Sequence, residues 1–113
     1  MSILKHNYDG LDEPAGPYVH AVSHQNTLYT SGLTAFGTHA ERGNICDQAR
    51  SIFEQLELIT KQHSTSLQQL IKVTVFVTDL TDIGLLRNCL FDVYGDHLPA
   101  SSLIKIESLF SPE

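Results

Sequence analysis

Apolar and polar positions alternate most regularly in residues 71–77, which predicts a β-strand because successive side chains of a strand point to opposite faces. Val73, Val75 and Val77 form a uniformly apolar face of this strand. The other face is mixed, with Lys72, Thr74 and Phe76. Two amphipathic helices can cover only one face of a sheet, so we expect the mixed face to meet another copy of the protein.

Two segments have the spacing of helices that bury one stripe. The first follows Asn44, a residue suited to capping a helix, with Asp47 three residues later at the positive end of the helix dipole. The second is expected to be capped by Asp79 or Thr81 and to end at Gly95. The predicted buried stripes are Ala49, Ile52, Phe53, Leu56, Ile59 and Thr60 in the first helix, and Leu86, Cys89, Leu90 and Val93 in the second.

The remaining strands are predicted from β-branched and aromatic runs. A short strand is expected at residues 3–4, a hairpin from residues 18–23 and 27–33 with a turn at 24–26, and a last strand at 102–108. The order β, hairpin, α, β, α, β predicts an α+β fold in which both helices pack on one face of a sheet. The length of 113 residues suits a single domain, residues 1–113.

The composition and the net charge of the chain indicate which classes of partner, nucleic acid or membrane, can be expected. Hydrophobic residues make up 42% of the chain and charged residues 18%, which is typical of a globular protein. The net charge is −6 and the cationic residues are scattered, so nucleic acid is not an expected partner. No apolar run of about 18 residues predicts a membrane span. We expect no membrane partner and a cytoplasmic location, with Cys46 and Cys89 as reduced, buried thiols rather than the one conceivable disulfide.

The sequence contains few residues in a spacing that is typical of a catalytic, metal-binding or phosphate-binding site. Of the six histidines, His20 and His24 are four apart, but on a strand they would be about 13 Å apart, which is too far to share one metal ion. No nucleophile motif and no glycine-rich phosphate loop is present. We therefore predict no metal and no cofactor, and the pattern identifies no catalytic residue.

Five segments, in order, resemble the RidA/YjgF family. That family has G-P-Y before a strand, L-Y-x-S-G before a loop, Q-x-R at the start of a helix, V-K-x-T-V-F-x-x-D in a central strand, and Y-G-x-x-H-x-P-A before the next strand. The matching segments here are residues 16–18, 28–32, 48–50, 71–79 and 94–100. The resemblance covers residues 14 to about 109.

The resemblance implies a chorismate-mutase-like α+β domain that forms a homotrimer, with ligand clefts between adjacent subunits. It also implies hydrolysis of enamine or imine intermediates to 2-keto acids and ammonia. In the family, an arginine in a P-A-R-S segment binds the substrate carboxylate through a planar two-point contact. A glutamate on the last strand positions water, while an asparagine on the second helix and the tyrosine of G-P-Y complete the pocket.

Three departures from this pattern affect the implied activity. Ser101 stands where the family has its arginine, and Arg87 stands where it has its asparagine. The sequence also ends at residues 111–113, about where the last strand and its glutamate should begin. For that last strand we favour trimming or disorder over a true loss.

The resemblance places seven residues in a ligand site, and they are Tyr18, Ser31, Gly32, Arg87, Pro99, Ala100 and Ser101. Arg87 has three interpretations: a surface residue paired with Asp82 or Asp92, a substitute anion anchor in the cleft, or part of an ion pair between subunits. The first functional hypothesis is binding of small carboxylate or carbonyl metabolites without efficient imine hydrolysis. The second is an active deaminase that uses Arg87, and a weaker third is ribonuclease or translation-inhibitor activity, which the net charge disfavours.

Overall fold

Strands and helices alternate along the chain in the computed structural model, which describes residues 2–109. The chain divides into two compact units between Leu33 and Thr34. The elements are β1 (Leu4–His6), β2 (Ala21–His24), β3 (Thr27–Thr30), α1 (Ile45–Gln62), a short 3₁₀ helix (Leu67–Gln69), β4 (Lys72–Val77), α2 (Ile83–Tyr94) and β5 (Ala100–Lys105).

The first unit is an antiparallel sheet in the order β1-β2-β3. Its hairpin turns through two residues, Gln25 and Asn26, which both have positive φ (51° and 64°), as a tight type I′ connection requires. The predicted turn at 24–26 was one residue too long, because His24 pairs with Thr27 in the ladder. The strand predicted from residue 18 begins only at Ala21, since the Tyr18 amide donates to Gly16 O in a local turn.

Helix α1 begins as its sequence predicts. Asn44 Oδ1 accepts a hydrogen bond from the Asp47 amide at 2.8 Å, and Asp47 Oδ2 accepts one from the Asn44 amide at 3.2 Å. This reciprocal capping box satisfies two amides at the start of the helix, which have no partner within it.

The expected cap of α2 was wrong. Its N-cap residue is Asp82, whose side chain makes no capping hydrogen bond. Asp79 Oδ1 instead accepts hydrogen bonds from both the amide and the hydroxyl of Thr81, in a turn that precedes the helix. The helix ends at Gly95, which has φ 60°, as predicted.

In the second unit, β4 and β5 are parallel neighbours connected through α2. Ala49 of α1 and Leu86 and Cys89 of α2 are buried with Val77 of β4, and Val75 packs against the same cluster. Both helices therefore pack on the apolar face of β4, as predicted. Strand β5 spans Ala100–Lys105 rather than 102–108, because the Ala100 amide already donates to Ile71 O.

The α+β class is confirmed, with one difference in strand pairing. Within residues 2–109, the strands lie in two hydrogen-bonded sheets, β1-β2-β3 and β4-β5, where the pattern predicted one. Alternation identifies strands but does not specify which strands pair. The family's last strand was expected to begin at about residues 111–113, which lie outside the described residues. Within residues 2–109, no helix is long and apolar enough to cross a membrane.

The expectation of reduced cysteines is contradicted. Cys46 and Cys89 are joined by a disulfide, with their Cα atoms 5.9 Å apart. The two residues are 43 positions apart in sequence, so the spacing alone does not reveal their contact. The packing of α1 against α2 brings them together.

Candidate functional site

Three predicted site residues lie in the first unit, on either side of the hairpin. The Ser31 hydroxyl donates to Val19 O at 2.6 Å, which holds the end of the hairpin beside the segment that carries Tyr18. Tyr18 is 48% exposed, and its hydroxyl accepts a 3.3 Å hydrogen bond from the Ala15 amide. Gly32 is exposed, and a Cβ atom added to it would meet no atom within 4 Å. The described part of this chain therefore leaves open space beside the Gly32 backbone.

The other four predicted site residues lie in the second unit. Pro99 is half-buried, whereas Arg87, Ala100 and Ser101 are exposed. Lys72 Nζ donates to Ser102 Oγ at 2.6 Å, which places the Ser102 side chain on the mixed face of the sheet. Ser101 is the neighbour of Ser102 and pairs in register with Val73, so its side chain points to the opposite face, the one that carries the helices.

Among the described residues, Arg87 does not form the ion pair with Asp82 or Asp92 that the surface interpretation expects. The carboxylate of Asp92 lies 3.8 Å from Arg50, and within residues 2–109 Arg87 has no ion-pair partner. In the same range, no hydrogen bond or ion pair joins Arg87 to Ser101. The interpretation of Arg87 as a surface residue paired with Asp82 or Asp92 is therefore not supported within the described residues.

A buried histidine was missed as a structural residue of the first unit. His20 is 7% exposed; its Nδ1 accepts from the Tyr8 amide at 2.9 Å, and its Nε2 donates to Asp12 O at 2.7 Å. The Tyr8 ring stacks on the imidazole, with centroids 5.8 Å apart. These contacts tie the segment before the hairpin to β2. The only feature of the sequence that indicated this structural role of His20 was its position, as a polar residue, inside an apolar run.

Tyr94, which belongs to the motif at residues 94–100, is a second buried polar residue. Its ring packs edge-on against Phe53 at 5.6 Å, and its buried hydroxyl has no hydrogen-bond partner among the described residues. Burial raises the pKa of the Tyr94 hydroxyl, so that group is neutral at physiological pH. Tyr94 therefore supports the packing of α2 on α1.

Acidic and basic side chains surround Arg50, outside the predicted site. A hollow of about 240 Å³ beside the start of α1 is lined by His39, Asp47, Arg50 and Glu54, among others. No group of three or more histidine, cysteine, aspartate or glutamate side chains in residues 2–109 is arranged to hold a metal ion. The hollow contains none of the seven predicted site residues.

Comparison with known proteins identifies the family. The family model described as endoribonuclease L-PSP matches residues 11–113. The chain belongs to this family, which includes the RidA/YjgF proteins. The RutC family protein UK114 of Drosophila melanogaster is 30% identical over 100 residues, covering 86% of this chain and 72% of that protein.

Two further similar proteins are one named for an enzymatic activity and one with a solved structure. A protein of Dermatophagoides farinae named 2-iminobutanoate/2-iminopropanoate deaminase is 24% identical over 100 residues, covering 86% of this chain and 78% of its own. The crystal structure of RidA from an Antarctic Psychrobacter species has a TM-score of 0.85 at 27% identity, covering 95% of this chain and 89% of that one. The resemblance read from the sequence motifs is thereby confirmed for the family and the fold.

Proposed function

We propose that this chain is a single RidA-like domain that forms a homotrimer and binds small carboxylate or carbonyl metabolites in clefts between subunits. Family membership is the observation that carries this proposal. The relative named as an imine deaminase indicates the chemical class of ligand, which is a short 2-imino acid or the corresponding 2-keto acid. The proposed site residues are Tyr18, Ser31 and Gly32 of the first unit, and Arg87 and residues 99–101 of the second.

The mixed face of the β4–β5 sheet supports self-association. Phe76 is 52% exposed and Ile104, its register partner on β5, is 42% exposed. Thr74 and the Lys72–Ser102 hydrogen bond complete this face. Paired exposed apolar side chains with polar neighbours are characteristic of a protein contact surface. We propose that this face packs against another copy of the chain.

The proposal assigns weak imine hydrolysis to this chain. Hydrolysis of an imine consumes one water and releases ammonia and the keto acid, and the family's arginine anchors the carboxylate during this step. Ser101 has a short neutral side chain that supplies neither the charge nor the two-point contact of a guanidinium. A small metabolite can still occupy the cleft, but the carboxylate lacks its main anchor.

An active deaminase that uses Arg87 is the second candidate. It is favoured by one observation, namely that Arg87 is exposed and has no ion-pair partner within residues 2–109. A guanidinium on α2 could then bind the substrate carboxylate in place of the missing arginine. The net charge of −6 disfavours RNA as an alternative ligand.

A coupled assay separates the two candidates. An enzyme that releases 2-aminoacrylate is mixed with the chain, and pyruvate formation is followed against spontaneous hydrolysis. Binding without efficient hydrolysis predicts no acceleration, together with binding of 2-oxobutanoate in a calorimetric titration. Acceleration that is lost in Arg87→Ala but kept in Lys61→Ala, a cation-removing control at the far end of α1, supports the deaminase. Absence of both acceleration and binding contradicts both candidates.

The proposed cytoplasmic location can be tested through the disulfide. Disulfides that form in a reducing compartment are usually transient or redox-sensing. Trapping the thiols of cells with an alkylating agent before lysis, followed by mass spectrometry, would measure how much of the Cys46–Cys89 pair is reduced. A cytoplasmic protein is expected to have a substantial reduced fraction, whereas complete oxidation in unstressed cells contradicts this location.

A further inference from the structure

The Cys46–Cys89 bridge joins the start of α1 to the middle of α2. Cys46 is the second residue of α1, and Cys89 lies on the buried stripe of α2. Their Cα atoms are 5.9 Å apart, within the usual range for a disulfide. The helix packing that buries Ala49 against Cys89 places both sulfurs together, so the pair can bond without a large rearrangement of the two helices.

The two sulfurs lie in different environments. Cys89 is 2% exposed and is surrounded by the apolar core that contains Leu86 and Val77. Cys46 is half-buried at the periphery of that core. Reagents in solvent therefore reach Cys46 before Cys89.

One positive side chain lies against the Cys46 sulfur. Arg50 Nε lies 3.3 Å from Cys46 Sγ, one helical turn away. Free amides at the start of a helix add partial positive charge, and both effects favour a thiolate over a thiol. Asp92 and the neighbouring Asp47 carry opposing charge, but Asp92 contacts the far end of the Arg50 guanidinium at 3.8 Å and leaves Nε directed at the sulfur.

We propose that Cys46 and Cys89 are a reversible thiol–disulfide couple that responds to hydroperoxides. Cys46 is the reacting sulfur and Cys89 is the buried resolving sulfur. A partly exposed thiolate next to a second cysteine is the arrangement of redox-sensing cysteines. The couple is outside the seven residues of the proposed ligand site, so the two proposals are independent.

The oxidation proceeds in two balanced steps. The Cys46 thiolate attacks one oxygen of the hydroperoxide, the O–O bond breaks, and the other oxygen leaves as an alcohol or water after taking a proton; Cys46 becomes a sulfenic acid. The Cys89 thiol then loses its proton and attacks the Cys46 sulfur, and the sulfenic oxygen leaves as water. Two electrons pass from the sulfur pair to the peroxide.

A dithiol reverses the reaction. Its thiolate attacks Cys46 Sγ, the accessible sulfur, and Cys89 leaves and takes a proton. Its second thiol then displaces Cys46 from the mixed disulfide. The dithiol ends as a disulfide and the chain as two thiols. In the reduced chain the Cys89 thiol can donate to Cys46 O, which lies 3.7 Å from its sulfur.

The test exposes the reduced full chain to hydrogen peroxide and quenches samples with an alkylating agent. Mass spectrometry should show an intramolecular disulfide in the unmodified chain. In Cys89→Ala, a dimedone adduct should accumulate on Cys46, because the resolving sulfur is missing. In Cys46→Ala, Cys89 should remain a thiol. The proposal would be overturned if Cys89 in Cys46→Ala were oxidised as fast as the cysteine pair of the unmodified chain. It would also be overturned if a folded Cys89→Ala formed no dimedone adduct on Cys46.

Two variants of exposed residues test the role of charge without altering the buried core around Cys89. Arg50→Gln should slow oxidation of Cys46 by about two- to fivefold, the size of one charge effect at a helix terminus. Lys61→Gln removes a charge from the other end of the same helix and should leave the rate unchanged. Equal rates in these two variants would overturn the assignment of Cys46 as the activated sulfur.

Discussion

Replacing Ser101 with arginine is the most informative change to the proposed ligand site. Ser101 lies on β5 with its side chain exposed, opposite Val73 in the parallel register. The larger side chain therefore does not have to enter the core or break the β4–β5 ladder. Family resemblance places the carboxylate anchor at this position. Ser101→Arg should consequently add a guanidinium to the site without changing the fold.

The magnitude follows from the hydrogen bonds that the guanidinium can make. A hydrogen bond to a charged group contributes about 1.5–3 kcal/mol. Since about 1.4 kcal/mol corresponds to a tenfold change in affinity, Ser101→Arg should bind 2-oxobutanoate roughly 10- to 150-fold more tightly than the unmodified chain. Isothermal titration calorimetry of both proteins measures this ratio. The same variant should accelerate release of pyruvate from 2-aminoacrylate in the coupled assay.

Two controls separate charge from side-chain size. Ser101→Gln adds length without charge and should leave the affinity within a fewfold of the unmodified chain. Ser101→Lys adds charge without the planar fork and should give an intermediate gain. If a folded Ser101→Arg binds 2-oxobutanoate no better than Ser101→Gln, residue 101 does not face the carboxylate and the reasoning about this site is refuted.

Three further predictions concern stability, measured as urea unfolding midpoints. Reduction of the Cys46–Cys89 bridge, which spans 43 positions, should lower the free energy of unfolding by up to about 4 kcal/mol, because the unfolded chain gains conformational entropy. An unchanged urea midpoint in dithiothreitol would contradict this. His20→Ala removes two side-chain hydrogen bonds and should cost about 1–3 kcal/mol, and a midpoint equal to that of the unmodified chain would argue against the buried role. Hydrogen bonds from Thr81 lower the pKa of the Asp79 carboxyl in the folded state. Their contribution to stability is therefore complete above the pKa that Asp79 has in the unfolded chain, and it is lost as the pH falls through the lower pKa of the folded state. Asp79→Asn should therefore lose less stability than the unmodified chain between pH 7 and about pH 3, and an equal loss in both would be inconsistent with this cause.

Elements with a strong local signal were predictable from sequence. The capping pair Asn44 and Asp47 and the apolar stripe that follows them gave the start and buried face of α1. Alternation along residues 71–77 gave β4, with its exposed mixed face. In both cases neighbouring residues carry the signal, because capping and alternation depend only on the local chain.

Long-range contacts were not predictable in the same way. The disulfide depends on how α1 packs against α2, and neither cysteine has a neighbouring motif that reports the other. His20 was weighed only as a metal ligand, yet its partners are the amide of Tyr8 and the carbonyl of Asp12, which any residue type supplies. The pairing of strands in two sheets likewise depends on contacts that alternation does not encode.

The proposed site depended on resemblance rather than on pattern. Composition and spacing identified no reaction, and only the ordered family motifs placed Ser101 and Arg87 in a ligand site. The structure places these two residues on β5 and α2, and Tyr18 in the other unit. The proposed cleft would be completed by a second subunit, and such a site would leave no complete signature in one chain.

Sedimentation velocity of the full chain tests the central claim most directly, because clefts between subunits require an assembly. The chain has a mass of 12.5 kDa. We predict a single species with the mass of three chains at micromolar concentration. A single species with the mass of one chain under the same conditions would contradict the proposed site.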